Sequence, residues 1–136
     1  IIFTAGGDVD GGNLGLESDG NLLYNPSKGR ITATDVAAAG TFVNAVEVVS
    51  DAGVTVSKGY TAITTGSSNR TATLPVAAST NVGATYTIKK VDSGSGNISV
   101  TAEGDGLIDG GATVVLYHQF ESATVICRAA DVWDIM

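Results

Sequence analysis

From Tyr60 onward, apolar residues recur at every second position in short runs: Ala72, Leu74 and Val76; Ala84, Tyr86 and Ile88; Ile98, Val100 and Ala102; Val114 and Leu116; Ala123, Val125 and Cys127. A period of two puts successive side chains on opposite faces of an extended chain, so each run reads as a strand with one buried and one wet face. Between the runs stand Gly66-Ser67-Ser68-Asn69, Ala78-Ser79-Thr80-Asn81, the segment Asp92 to Asn97, Gly104-Asp105-Gly106 and Asp109-Gly110-Gly111. These residue types supply positive φ or local side-chain hydrogen bonds and so mark turns. Short strands at this spacing predict an all-β chain, with an antiparallel β-sandwich or jelly-roll-like domain over residues 59–136. Aromatics make up only 6% of the chain, so the core must come from small and β-branched residues. Trp133, in the closing segment Val132 to Met136, is its largest expected contribution.

Residues 1–58 read differently. Positions 5–30 alternate glycine, Asn, Asp and Ser with few apolar residues, an extended glycine-rich segment that cannot bury a core of its own. Ile31-Thr32-Ala33-Thr34 and Val54-Thr55-Val56-Ser57 return to strand alternation, with Ser50-Asp51-Ala52-Gly53 as a turn. Only residues 34–50 admit a helix: Asp35 could cap a turn through Ala39, but Gly40, Thr41 and Val43 stop it, leaving a short helix or none. The chain is 15% charged and 43% hydrophobic, against about 25% charged in an average domain. Too few charges remain to coat a monomer. Residues 1–58 are therefore expected to order through assembly, with Leu14, Leu16, Leu22, Leu23, Tyr24 and Ile31 at an oligomer interface.

The same residues narrow the chemistry. A net charge of -7 argues against nucleic acid, whose backbone is bound by clustered Lys and Arg. The one basic pair, Lys89-Lys90, reads as a solvated strand edge. No apolar run approaches the roughly 20 residues a membrane helix needs, so no membrane insertion is expected. The chain opens on Ile1-Ile2-Phe3 without an initiator Met, as a processed chain or a portion of a longer one would, and no signal peptide is visible. Cys127 is alone, which excludes an internal disulfide, and reads as a small buried hydrophobe. His118 is the sole histidine and reads as a loop or strand-end residue, without a nucleophile at catalytic spacing. No phosphate-binding or dinucleotide-binding glycine pattern occurs, so neither enzyme activity nor a cofactor is expected.

Two acidic clusters are calcium candidates: Asp8 with Asp10, and Glu103 with Asp105 and Asp109. Calcium takes several hard oxygens on a bending loop, but neither cluster has the EF-hand pattern, and turn usage of Asp beside Gly is the simpler reading. The second cluster would also carry any glycan hydrolase activity. Tyr60, Tyr86 and Tyr117 are the aromatic residues a carbohydrate- or cell-surface-binding β-module would expose.

The segment Leu23-Tyr24-Asn25-Pro26-Ser27 through Ile31-Thr32-Ala33-Thr34 resembles a linker of tailed-bacteriophage fibre and appendage proteins, in which a YNPS-like turn precedes an ITAT-like strand. The pieces Thr73-Leu74-Pro75, Val82 to Asp92, Asn97 to Val100, Ile108-Asp109-Gly110 and the terminal strand with Trp133 resemble a β-domain that recurs in phage virion proteins. The two resemblances cover about two thirds of the chain and imply a non-enzymatic virion protein on the particle exterior. Its expected form is a homotrimeric fibre- or spike-like appendage segment, or else a capsid decoration protein that stabilises the head shell. Major capsid or tail proteins would be its partners, with a host surface glycan as a further one. The number three comes from the resemblance alone.

Overall fold

A computed structural model describes residues 22–25, 30–33 and 45–136 of the chain. The chain divides into two compact units, residues 1–42 and 43–136. In the first, strands β1 (Leu22–Asn25) and β2 (Arg30–Ala33) pair antiparallel, with Leu22 opposite Ala33 and Tyr24 opposite Ile31. The proposed interface residues Leu22, Leu23, Tyr24 and Ile31 thus lie on one hairpin. Leu14, Leu16, Asp8, Asp10 and the helix candidate at 35–39 fall outside the described residues.

The second unit takes in residues 43–58, which the sequence reading assigned to the N-terminal segment. It holds β3 (Val46–Ser50), β4 (Val54–Thr55), β5 (Tyr60–Thr64), β6 (Arg70–Leu74), a 3-10 turn (Ser79–Asn81), β7 (Thr85–Lys90), β8 (Ile98–Ala102), β9 (Leu107–Ile108), β10 (Thr113–Leu116), β11 (Ser122–Ala129) and β12 (Val132–Ile135). Where a helix was conceivable at its C-terminal end, Val46 to Ser50 form a strand, as their β-branched residues favour.

The fold is all-β. One sheet runs β3-β5-β7-β11-β12-β9 and the other β10-β8-β6-β4. The pairing is mixed, not antiparallel throughout: β3 with β5, β5 with β7, β4 with β6, β6 with β8 and β9 with β12 are parallel. Antiparallel pairs join β7 to β11, β11 to β12 and β8 to β10. The reason lies in the chain path. From β3 to β8 each strand crosses to the opposite sheet before the next returns, so strands two apart in sequence become parallel neighbours. Parallel neighbours need a crossover, and here a strand of the facing sheet provides it.

Inner faces of both sheets meet in one core: Ile63, Ile88, Val125, Cys127 and Trp133 from the larger sheet against Ala72, Leu74, Ile98, Val100 and Leu116 from the smaller. Trp133 and Cys127 are fully buried, as the sequence predicts. Tyr86 leans on Trp133 with ring centroids 5.7 Å apart. Asn81 ties the 3-10 turn to the segment just before it, its Oδ1 accepting from Ala78 N at 2.7 Å and its Nδ2 donating to Val76 O at 2.9 Å.

Two glycines are required by contact. A Cβ at Gly94 would lie 2.0 Å from Gly66 O, and one at Gly96 would lie 2.1 Å from Ser68 O. The loop after β7 therefore lies directly on the turn after β5. Gly96→Ala should force these backbones apart and lower stability by about 3 kcal/mol or more, measured by urea denaturation; a loss below about 1 kcal/mol would contradict this packing.

Candidate functional site

The loop contact just described is organised by a buried charge. Lys90 ends β7 on its inward face and is fully buried, which corrects its reading as part of a solvated edge. Alternation explains the difference: Ile88 and Lys90 share the core face, while Lys89 points outward. Lys90 Nζ donates to Thr65 Oγ1 and Asp92 Oδ1, each at 2.8 Å, to Gly94 O at 3.0 Å and to Asp92 O at 3.1 Å. Asp92 Oδ1 accepts from Thr65 N at 3.1 Å, and its Oδ2 accepts from Gly66 N at 2.9 Å. Thr65 Oγ1 donates to Gly96 O at 3.0 Å. A buried ammonium is tolerated only when paired and hydrogen-bonded, and these oxygens meet that condition.

The Lys90 hydrogen bond holds the Asp92 carboxyl far below the usual carboxylate range, against partial burial and with help from the N–H groups of Gly66 and Thr65. A folded-state pKa lowered in this way stabilises the protein fully above the unfolded carboxylate value and is lost as pH falls through the folded one. Asp92→Asn should cost about 3–5 kcal/mol near neutral pH by leaving Lys90 uncompensated. The stability gap between wild type and this variant, from urea titrations, should stay flat down to about pH 5 and narrow only below about pH 4. A gap already closing at neutral pH would contradict the assignment.

Lys90 also anchors a third segment, the loop Tyr117–Glu121 between β10 and β11. Phe120 N donates to Lys90 O at 2.7 Å, Lys90 N to Glu121 O at 3.0 Å, and Gln119 Nε2 to Val91 O at 3.2 Å. Within the loop, Glu121 Oε2 accepts from Tyr117 N at 2.5 Å and from His118 N at 2.9 Å. These two donors, His118 N first, lower the Glu121 pKa. So fixed, the loop presents Tyr117 and Phe120 with 60% and 62% of their surface exposed. Phe120 has φ +67°, a conformation rare and costly for a bulky residue. Lys89 Nζ stands 5.8 Å from its ring centroid, within cation–π range.

A second surface lies across the same sheet. The register places Val46 beside Tyr60 and Val48 beside Ala62, which neighbours Lys89. Val46 and Val48 are 61% and 71% exposed on β3, one of the two edge strands of this sheet among the described residues. Glu47 alternates with them onto the inner face, where its Oε2 and the Oγ1 of neighbouring Thr61 are buried without a partner among the described residues.

The remaining sequence candidates are dispersed. No group of three or more His, Cys, Asp or Glu side chains that could hold a metal occurs among the described residues. Glu103 and Asp105 are exposed, and Asp109 Oδ1 accepts from Ile135 N at 3.1 Å, a turn role in keeping with its φ of +49°. His118 is an exposed loop residue, as read from the sequence. Cys127 is buried, which raises its thiol pKa. Of the three tyrosines, Tyr117 is exposed while Tyr60 and Tyr86 are half-buried. Sequence reasoning did not single out Phe120, whose exposure follows from a turn conformation that no residue pattern announces. Comparison with protein families, with curated proteins and with solved structures found no match.

Proposed function

We propose that this chain is a non-enzymatic structural protein of a tailed-bacteriophage virion, a trimeric fibre- or spike-like appendage segment exposed on the particle. The observation that carries the reading is the bare valine face of β3. Val46 and Val48 lie at 61% and 71% exposure beside Tyr60 and Ala62, an apolar patch of the sort that marks an interaction site. Glu47 points its charge inward on the same strand, a device that discourages indiscriminate strand addition. A neighbour would therefore cover the face of the strand, not extend its edge. The biological setting and the trimer rest on the resemblance of residues 23–34 to phage appendage linkers and of the pieces 73–75, 82–92, 97–100, 108–110 and the terminal strand to virion β-domains. The shortage of charge in the chain as a whole agrees with burial against other copies.

Native mass spectrometry tests this. The wild-type chain should appear at three times its 13.6 kDa mass. Val46→Asp with Val48→Asp should give single chains that remain folded, since each lost burial is worth roughly 1.5–3 kcal/mol to the contact and neither side chain belongs to the core. A wild-type monomer that attaches to no particle would overturn the proposal. Trimers that form only on preassembled head shells would transfer it to capsid decoration.

A further inference from the structure

We propose that the outer face of the smaller sheet binds ice, carrying a layer of ordered water on a grid of hydroxyl and methyl groups. This inference is independent of the assembly reading, which rests on the larger sheet. Strand alternation fixes what the face presents. Ala72, Leu74, Ile98, Val100 and Leu116 lie in the core with Val56, and Val54 and Val114 pack against it, so the residues between them point outward. The register then aligns those residues in two ranks. In the first, Thr55 stands beside Thr73, Thr73 beside Thr101 and Thr101 beside Thr113. In the second, Thr71 stands beside Ser99 and Ser99 beside Val115. Paired strands lie about 4.8 Å apart and residues two apart on a strand about 6.6 Å apart, so the outward positions repeat in both directions.

The make-up of this face selects the ligand. No charged residue stands on the grid, in a chain with 7 basic and 14 acidic residues. The outer face of the larger sheet, by contrast, carries Lys89 and the Arg128–Asp134 ion pair. Strand propensity favours threonine, but it does not keep every charge off one face. A protein partner would meet aromatic or arginine anchors in an apolar centre, and this face offers neither. A charged group orients water tightly around itself. A hydroxyl donates and accepts as water does, and the threonine methyl beside it leaves the covering water to bond with itself. Spaced at repeats near those between oxygens on a face of ice, such groups hold water in an arrangement that a growing crystal can take up. Thr55, Thr71 and Thr113 are exposed at the margins of the grid, and Thr73, Ser99 and Thr101 are half-buried at its centre.

The test places the full chain in supercooled solution, reads melting and freezing temperatures by nanolitre osmometry and records the shape of single ice crystals by light microscopy. The wild-type chain should open a gap between the two temperatures that widens with protein concentration, and should give faceted crystals instead of round discs. Thr101→Lys sets a strongly hydrated ammonium in the middle of the grid. It should abolish both effects while its melting temperature as a protein stays within about 4 °C of wild type. Thr113→Lys, at an exposed position on the edge strand β10, should do the same and serves if Thr101→Lys does not fold. Thr85→Lys, exposed on β7 of the larger sheet, should leave both effects unchanged. Round crystals and no gap with the wild type, an undiminished gap in the folded Thr101→Lys or Thr113→Lys chain, or an equal loss in Thr85→Lys would each overturn the proposal. So would Thr101→Lys splitting an oligomer into single chains without any effect on ice, which would assign the face to a second copy.

Discussion

One buried ammonium fixes where three loops of the β-domain lie. Lys90 joins three segments far apart in sequence: its side chain holds the turn at 65–69 and the loop at 91–97, and its backbone holds the loop at 117–121. Hydrophobic burial is non-directional and could not fix where these loops lie. A charged donor surrounded by fixed oxygens can, because leaving any of them unpaired in the interior is expensive. The glycines at 94 and 96 are the steric counterpart, since they let the loop backbone approach near enough for Lys90 to reach Thr65 and Gly94 together.

The placement of strands follows from the same economy of a small-residue core. With few aromatics, burial has to be assembled from many thin contributions, and the chain does this by passing from sheet to sheet so that each strand adds one apolar face to a shared interior. Trp133, with Tyr86 against it, fills the volume that the valines and alanines leave. The outer face of the larger sheet is then free to differ along its width. At β3 and β5 it exposes Val46 and Val48 beside Tyr60 and Ala62. At β7 and β11 it is lined with hydroxyl groups, among them the bonded pair Thr87 and Thr124 at 3.0 Å, and it is overlooked by an aromatic loop. The exposed valines on β3 are what the proposed assembly rests on.

Much of this was legible in the sequence. Alternation located β6, β7, β8, β10 and β11, and the Gly, Asn and Asp clusters located most turns between them. Cys127 and Trp133 read as core because they fall on the apolar phase of their strands. Strand direction was not legible, since a period of two is the same for parallel and antiparallel neighbours. The parallel pairs arise from sheet crossing, which depends on contacts distant in sequence. Lys90 was misread because charge suggested solvent, whereas its phase with Ile88 already put it on the inner face. The partner that makes burial tolerable, Asp92, stands two residues on, inside what looked like an ordinary turn.

In the proposed assembly, other copies cover the face of β3. Cysteine substitution with thiol labelling reads this directly, because the only native thiol, Cys127, is fully buried and its pKa is raised. Val48→Cys should react rapidly with a maleimide in dilute single chains and be shielded in the assembled form, with Cys127 silent in both. Equal reactivity of the introduced thiol in the single and assembled chains would contradict it.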